Sequence, residues 1–232
     1  MSLAPAAVRI TAAPLVLVAH GTRDRAGTRV GEELLRAVRA ALPDTRVELA
    51  FADVHGPTVT AVLAELTGPA VVLPLFLAAG YHVRTDLPTQ LAGFPDVTVV
   101  PALGPAWPMV TAVADRLTEA GWRPGDRVVL AAAGSSDPHA RADVRTAAAR
   151  LSALLDTSVH IGHCTTAKPA LARVVATARR GGRRVAVASW LLAPGLFHRI
   201  ARTCGADLVS EPIGAHPNLI AHIADHRHAA VI

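Results

Sequence analysis

The sequence predicts an α/β fold of two similar halves, each a parallel β-sheet flanked by helices. Three observations carry that expectation. Uninterrupted apolar runs, such as Leu15-Val16-Leu17-Val18-Ala19, read as strands that a parallel sheet buries on both faces. Segments with apolar residues at helical spacing alternate with these runs, as in βα units. The whole alternation then restarts after residue 121, which marks an internal duplication.

In chain order, residues 15–19 form the first strand, and Val30, Leu34, Leu35, Val38 and Leu42 place a helix over 26–42, ended by Pro43-Asp44. Residues 46–51 alternate polar and apolar as a second strand. Pro57 suits the first turn of a helix over 58–66. A third strand covers 69–76, a short helix 84–91, a fourth strand 97–100 and a longer helix 107–119. The turn-rich stretch 121–126 links the halves, so the expected domains are residues 1–121 and 122–232. In the second half the strands are expected at 128–133, 158–162, 184–192 and 207–209, with helices over 143–155 and 218–228.

Composition narrows the function. The chain has 232 residues, 51% hydrophobic but only 3% aromatic, so its core is built from Ala, Val and Leu. No apolar run reaches the ~18 residues of a membrane helix. Residues 1–14 lack the pattern of a signal peptide and read as a short disordered lead. Cys164 and Cys204 are too few for a disulfide framework, and the expected compartment is the cytoplasm. The net charge of +5 is spread as Arg without a dense basic block. That gives no nucleic-acid motif and fits a cleft for an anionic small molecule.

The polar residues concentrate where strands end. His20 follows the first strand directly, in His20-Gly21-Thr22-Arg23-Asp24, and His82 follows the third, in Gly80-Tyr81-His82. The carboxyl edge of a parallel sheet is where ligands bind. Two neutral imidazoles there make a site for a divalent transition metal with positions left open. Asp53 and His55 lie on the loop after the second strand, where a carboxylate serves as ligand or proton acceptor, or merely shapes an Asx turn. Gly21 and Gly80 let a bulky ligand approach the backbone. Thr22, Tyr81, Arg23 and Arg84 flank the histidines, and the arginines suit carboxylates. In the second half, Ala133 occupies the place of His20, Thr165 or Thr166 falls near that of Asp53, and His198 matches His82 only with one inserted residue. The chemistry is therefore expected in the first half. His222 and His226 stand at i,i+4 spacing, as on an exposed helix face or a minor metal site.

Two stretches, Leu17-Val18-Ala19-His20-Gly21-Thr22 and the run from Pro74 to Asp86, resemble the paired motifs of the sirohydrochlorin chelatases, the CbiX/SirB-like class II tetrapyrrole chelatases in their two-half form. The run from Leu192 to His198 is similar to the family as well. The resemblance implies halves facing each other across a cleft, with His20 and His82 as the active-site and metal-binding histidines. It implies insertion of Co²⁺ or Fe²⁺, as substrate and without an organic cofactor, into a sirohydrochlorin-type tetrapyrrole for cobalamin or sirohaem synthesis. It further implies a monomer with pseudo-symmetric halves. The family often carries Glu where Asp53 stands. Two other readings are a metal or tetrapyrrole carrier without turnover and a histidine-nucleophile phosphatase; the latter places Arg immediately before its His, where this chain has Ala19.

Overall fold

The structure, a computed structural model, describes residues 13–53, 56–66 and 68–230. Most of the expected N-terminal lead, and His55, lie outside the described residues. The elements are β1 (Leu15–Ala19), α1 (Arg25–Ala41), β2 (Val47–Phe51), α2 (Val59–Ala64), β3 (Ala70–Pro74), a π-helical turn (His82–Asp86) running into α3 (Leu87–Leu91), β4 (Val97–Val99), α4 (Trp107–Glu119), β5 (Arg127–Ala132), α5 (Pro138–Leu155), β6 (Val159–His163), α6 (Leu171–Ala178), β7 (Val185–Trp190), α7 (Leu196–Arg202), β8 (Leu208–Val209) and α8 (Pro217–Ala229).

Two parallel four-stranded sheets result, in the order β2-β1-β3-β4 and β6-β5-β7-β8. β1 and β5 are central and buried on both faces, as their unbroken apolar runs require. Alternate residues serve different cores. Leu15 and Leu17 face a core shared by both halves, whereas Val16 and Val18 face an outer core with Val59, Val62, Leu87 and Leu91 of α2 and α3. In the second half, Val128 and Leu130 face the shared core. Val129 and Ala131 face an outer core with Leu171, Val175 and Ala201 of α6 and α7. The two halves are thus two sheets with helical outer layers and one common helical layer between them.

That common layer exchanges its last helices. α4, which closes the first half in sequence, packs on β7 and α5 of the second. α8, which closes the second half, packs on β3 and α1 of the first and beside α4. Met109, Val110, Val113 and Leu117 of α4, and Leu219 and Ile223 of α8, are buried in this layer. Polar links follow the same exchange. Arg116 donates to the Ile213 carbonyl at 3.1 Å, Arg150 to the Pro105 carbonyl at 2.5 Å, and Arg227 to the Ala13 carbonyl at 2.7 Å.

The duplication is visible at single hydrogen bonds. Phe51 N–H donates to the Pro57 carbonyl at 2.9 Å and His163 N–H to that of Pro169 at 3.0 Å. Gly21 and Gly134 occupy the same turn, at φ of 95° and 101°, a backbone that excludes most side chains. Thr22 and Ser135 accept from the N–H of Asp24 and Asp137, which in turn cap α1 and α5. The register corrects one expected correspondence. Gly195 matches Gly80, so Phe197, not His198, stands at the place of His82. His198 is turned inward, 4% exposed, with Nε2 3.2 Å from the Ser210 carbonyl.

Candidate active site

His20 leaves the end of β1 and His82 opens the π-helical turn beyond β3, the neighbouring strand. Their ring centroids lie 4.5 Å apart. Phe76, just past β3, lies 6.4 Å from the first and 6.3 Å from the second, and lines the same cavity. The connection from β3 to His82 is held by Gly104, whose N–H donates to the Phe76 carbonyl at 3.1 Å. A Cβ at Gly104 would fall 1.9 Å from the Leu77 carbonyl oxygen, so this close approach needs glycine.

His82 Nδ1 lies 2.6 Å from Asp86 Oδ2, one turn further along. An ionised carboxylate only accepts, so Nδ1 carries the proton and the Nε2 lone pair is free. Asp86 is a positioning residue that the strand-edge argument did not single out. Removing its negative charge while keeping its shape, as in Asp86→Asn, is expected to lower the rate of the reaction at His82 by about 10–100-fold, the usual effect of losing a histidine's orienting partner. Steady-state kinetics check it; an unchanged rate would show that Asp86 does not orient His82.

His20 titrates below the ordinary histidine value of 6.5. Burial against the cleft walls is the main cause and the neighbouring His82 the second, while Asp53 pulls in the opposite direction. His20 is therefore neutral at physiological pH, with a lone pair for a metal or a proton. Protonation on acidification removes that lone pair, so activity is expected to fall as pH drops, with a midpoint below 6.5. An acid limb centred above that value in the pH profile of kcat/KM would contradict the assignment.

The remaining expected residues lie around this pair. Asp53 is exposed on the β2 loop, within electrostatic reach of His20. Gly21 and Thr22 line one cavity of about 570 Å³, together with Pro194 and Gly195 of the second half. Gly80 and Tyr81 line a second cavity of about 430 Å³, and His20, Leu75, Leu191, Leu192 and Phe197 line both. Gly80 also faces the other half: a Cβ there would lie 3.4 Å from Ala140 and 3.7 Å from the Ser135 hydroxyl. Arg23 and Arg84 are exposed. Arg199 pairs with Asp24 across the halves, while Arg202 lies 3.6 Å from Glu211. With the Ala79 N–H donating to Asp143 at 2.8 Å, the Arg199 pair ties the cleft walls together. The second half contributes Phe197, Trp190, His163 and Arg141 to the cleft. His222 and His226, far along α8, bring their Nε2 atoms to 3.2 Å. Among the described residues, no cluster of three or more His, Cys, Asp or Glu is arranged to hold a metal ion.

Fold and site together define a duplicated α/β protein in which one half presents a histidine pair to a cleft and the other walls it. The chain belongs to the CbiX family, whose model matches it twice, over residues 14–120 and 127–229, once per half. It is similar to a sirohydrochlorin cobaltochelatase of Methanococcoides burtonii, at 30% identity over 81 residues, which is 33% of this chain and 62% of that protein. The alignment thus spans less than two thirds of that relative. Among solved structures, SirB from Bacillus subtilis with Fe³⁺ superposes with a TM-score of 0.80 at 22% identity, covering 95% of this chain and 96% of that one. The sirohydrochlorin chelatase SirB from Bacillus subtilis subspecies spizizenii in complex with cobalt gives a TM-score of 0.76 at 20% identity, covering 95% of each chain. These likenesses establish the fold over both halves. No helix among the described residues is long and apolar enough to cross a membrane.

Proposed function

We propose that this chain is a sirohydrochlorin chelatase, which inserts Co²⁺ or Fe²⁺ into the tetrapyrrole within the cleft, in the service of cobalamin or sirohaem synthesis. The observation that carries the reading is the facing pair His20 and His82, in a chain that both family matches place among the CbiX proteins. Metal and ring are both substrates, and no organic cofactor is required.

The division of labour follows from lone pairs. Metallation must remove two pyrrole protons and strip solvent from the incoming ion. His82, with Nδ1–H held by Asp86, presents Nε2, and His20 presents a neutral ring 4.5 Å away. One imidazole cannot ligate the ion and accept a proton with the same lone pair at the same moment. Two histidines allow one to deliver metal while the other takes a proton, and Asp53 offers a further acceptor at the cleft mouth. Phe76 and Phe197, which line the cleft, give the ring apolar surface to lie against. The phosphatase reading lacks its phosphate clamp, because Ala19 precedes His20. The test is incubation with sirohydrochlorin and Co²⁺ or Fe²⁺, followed by absorbance. Conversion to the metallated spectrum faster than in the protein-free control supports the proposal; equal rates refute it.

A further inference from the structure

Helix α8 carries a histidine pair that the chemistry in the cleft does not use. His222 and His226 line neither of the two cleft cavities. They stand one helical turn apart, so both side chains rise from the same face of α8. Their Nε2 atoms lie 3.2 Å apart, their ring centroids 4.4 Å apart, and the ring planes cross at 72°. A head-on N–H···N bond would set the centroids apart by the N···N distance plus a ring radius at each end. The observed centroids are closer than that, so the rings meet at an angle rather than along one line.

The separation of the two nitrogens suits a shared ion. Imidazole nitrogens 3.2 Å apart, each bound to one metal at about 2.0–2.1 Å, subtend roughly 100–105° at that metal, close to a tetrahedral angle. Both residues keep part of their surface open, and Asp225 and Ala229 beside them on the helix are exposed, so water can reach the remaining positions. Burial lowers both rings below the ordinary 6.5. The neighbouring His226 adds to this for His222, and Asp225 pulls the other way for both. Each ring is therefore neutral at physiological pH and carries one bare lone pair. His222 is also hydrogen-bonded to the Leu103 backbone, which favours the protonated ring and so accepts from it. With Nε2 turned to His226, the donor is Nδ1, and a ring held in that way keeps Nε2 for an ion, as metal-bound histidines do.

We propose that His222 and His226 form a second metal site, which holds one divalent transition ion on α8 through both Nε2 atoms, with water in the remaining positions. Imidazole ligands select Co²⁺, Ni²⁺, Cu²⁺ and Zn²⁺ over Mg²⁺ and Ca²⁺, which take oxygen. Two protein ligands leave the ion exchangeable, unlike a structural site closed by four. The site lies outside the cleft, yet the Leu103 contact sets it beside Gly104, which holds the connection from β3 to His82. α8 itself belongs to the layer shared by the two halves, so an ion that ties two of its turns together stabilises the folded chain. This inference does not rest on the chelatase reading, because the site needs neither tetrapyrrole nor turnover.

The probe is metal alone. Co²⁺ and, separately, Mg²⁺ are titrated calorimetrically into the full chain carrying His20→Ala and His82→Ala, which removes the other histidine pair. One Co²⁺ per chain is expected to bind and to raise the melting temperature, and Mg²⁺ is expected to do neither. His222→Gln and His226→Gln, each added singly to that background, are expected to weaken Co²⁺ binding by about 10–100-fold or more, since even losing a ligand's orienting partner costs that much. Both positions are partly exposed and Gln is a good helix former, so these variants are expected to fold, and cooperative melting without metal verifies it. In the ¹⁵N-histidine-labelled background chain, which needs no substitution on α8, one equivalent of diamagnetic Zn²⁺ is expected to shift the Nε2 resonances of His222 and His226 together. A background chain that binds no Co²⁺ overturns the site. So do Co²⁺ binding that survives both Gln replacements unweakened, and a Zn²⁺ response confined to other histidines.

Discussion

His20→Ala and His82→Ala are each expected to lower kcat for metal insertion by about 10²–10⁴-fold, the usual contribution of a positioned proton acceptor, while the chain stays folded. Neither His20, at the cleft mouth, nor the half-buried His82 belongs to a hydrophobic core, so neither truncation leaves a cavity in one. The loss therefore belongs to the chemistry. Both losses are expected because the rings lie 4.5 Å apart, close enough to serve one reacting centre. His198→Ala is the internal control. Its ring is enclosed against the Ser210 carbonyl, away from the cleft, so its removal should lower the melting temperature and spare the kcat of the folded fraction. Wild-type turnover in either first-half variant at limiting metal would break the assignment, and so would an equal kcat loss in a stably folded His198→Ala chain.

Residues 1–121 expressed alone are expected not to form a stable monomer. In the full chain, α4 covers β7 and α5, and α8 covers β3 and α1. The fragment keeps α4 without its seat and keeps β3 and α1 without their cover. Met109, Val110, Val113 and Leu117 are each at most 1% exposed in the full chain. Re-exposing side chains of that size costs about 1.5–3 kcal/mol each, and a domain's whole stability is about 5–15 kcal/mol. The fragment is left with two outcomes, aggregation or pairing with a second copy whose α4 fills the empty α8 seat. Sedimentation and thermal melting decide: a monomer with a cooperative transition would show that the halves are independent units.

How much of this was legible depended on what each residue's pattern encodes. β1, β3, β5 and β7 stood out because central parallel strands are apolar without interruption. α4 was found at its observed ends, Trp107–Glu119. α5 starts five residues earlier than its apolar spacing indicates, because its first turn, from Pro138, is polar and held by the Asp137 cap. α6 and α7, at 8 and 7 residues, were not assigned from the sequence, although the shorter α2 and α3, at 6 and 5 residues, were. His20 and His82 were legible because each closes an apolar run. The place of His163 at the cleft was not, because the register sets it beside Ala132 and Trp190, and no spacing along the chain carries that. His198 drew attention by identity with His82, whereas the count from Gly195 selects Phe197. The exchange of α4 and α8 was invisible for a general reason: an amphipathic helix shows that it has an apolar face, not which sheet that face will cover.

The central claim is that this cleft turns over, rather than holding metal or ring as cargo. The direct measurement is the amount of metallated product formed per chain with sirohydrochlorin and Co²⁺ or Fe²⁺ both in large molar excess, followed by absorbance until the reaction stops. The histidine pair, open to solvent on one side and lacking a closed set of ligands among the described residues, predicts many products per chain and a rate proportional to protein concentration. Product that stops at one equivalent per chain, and stays bound to it, would contradict the account and identify a carrier.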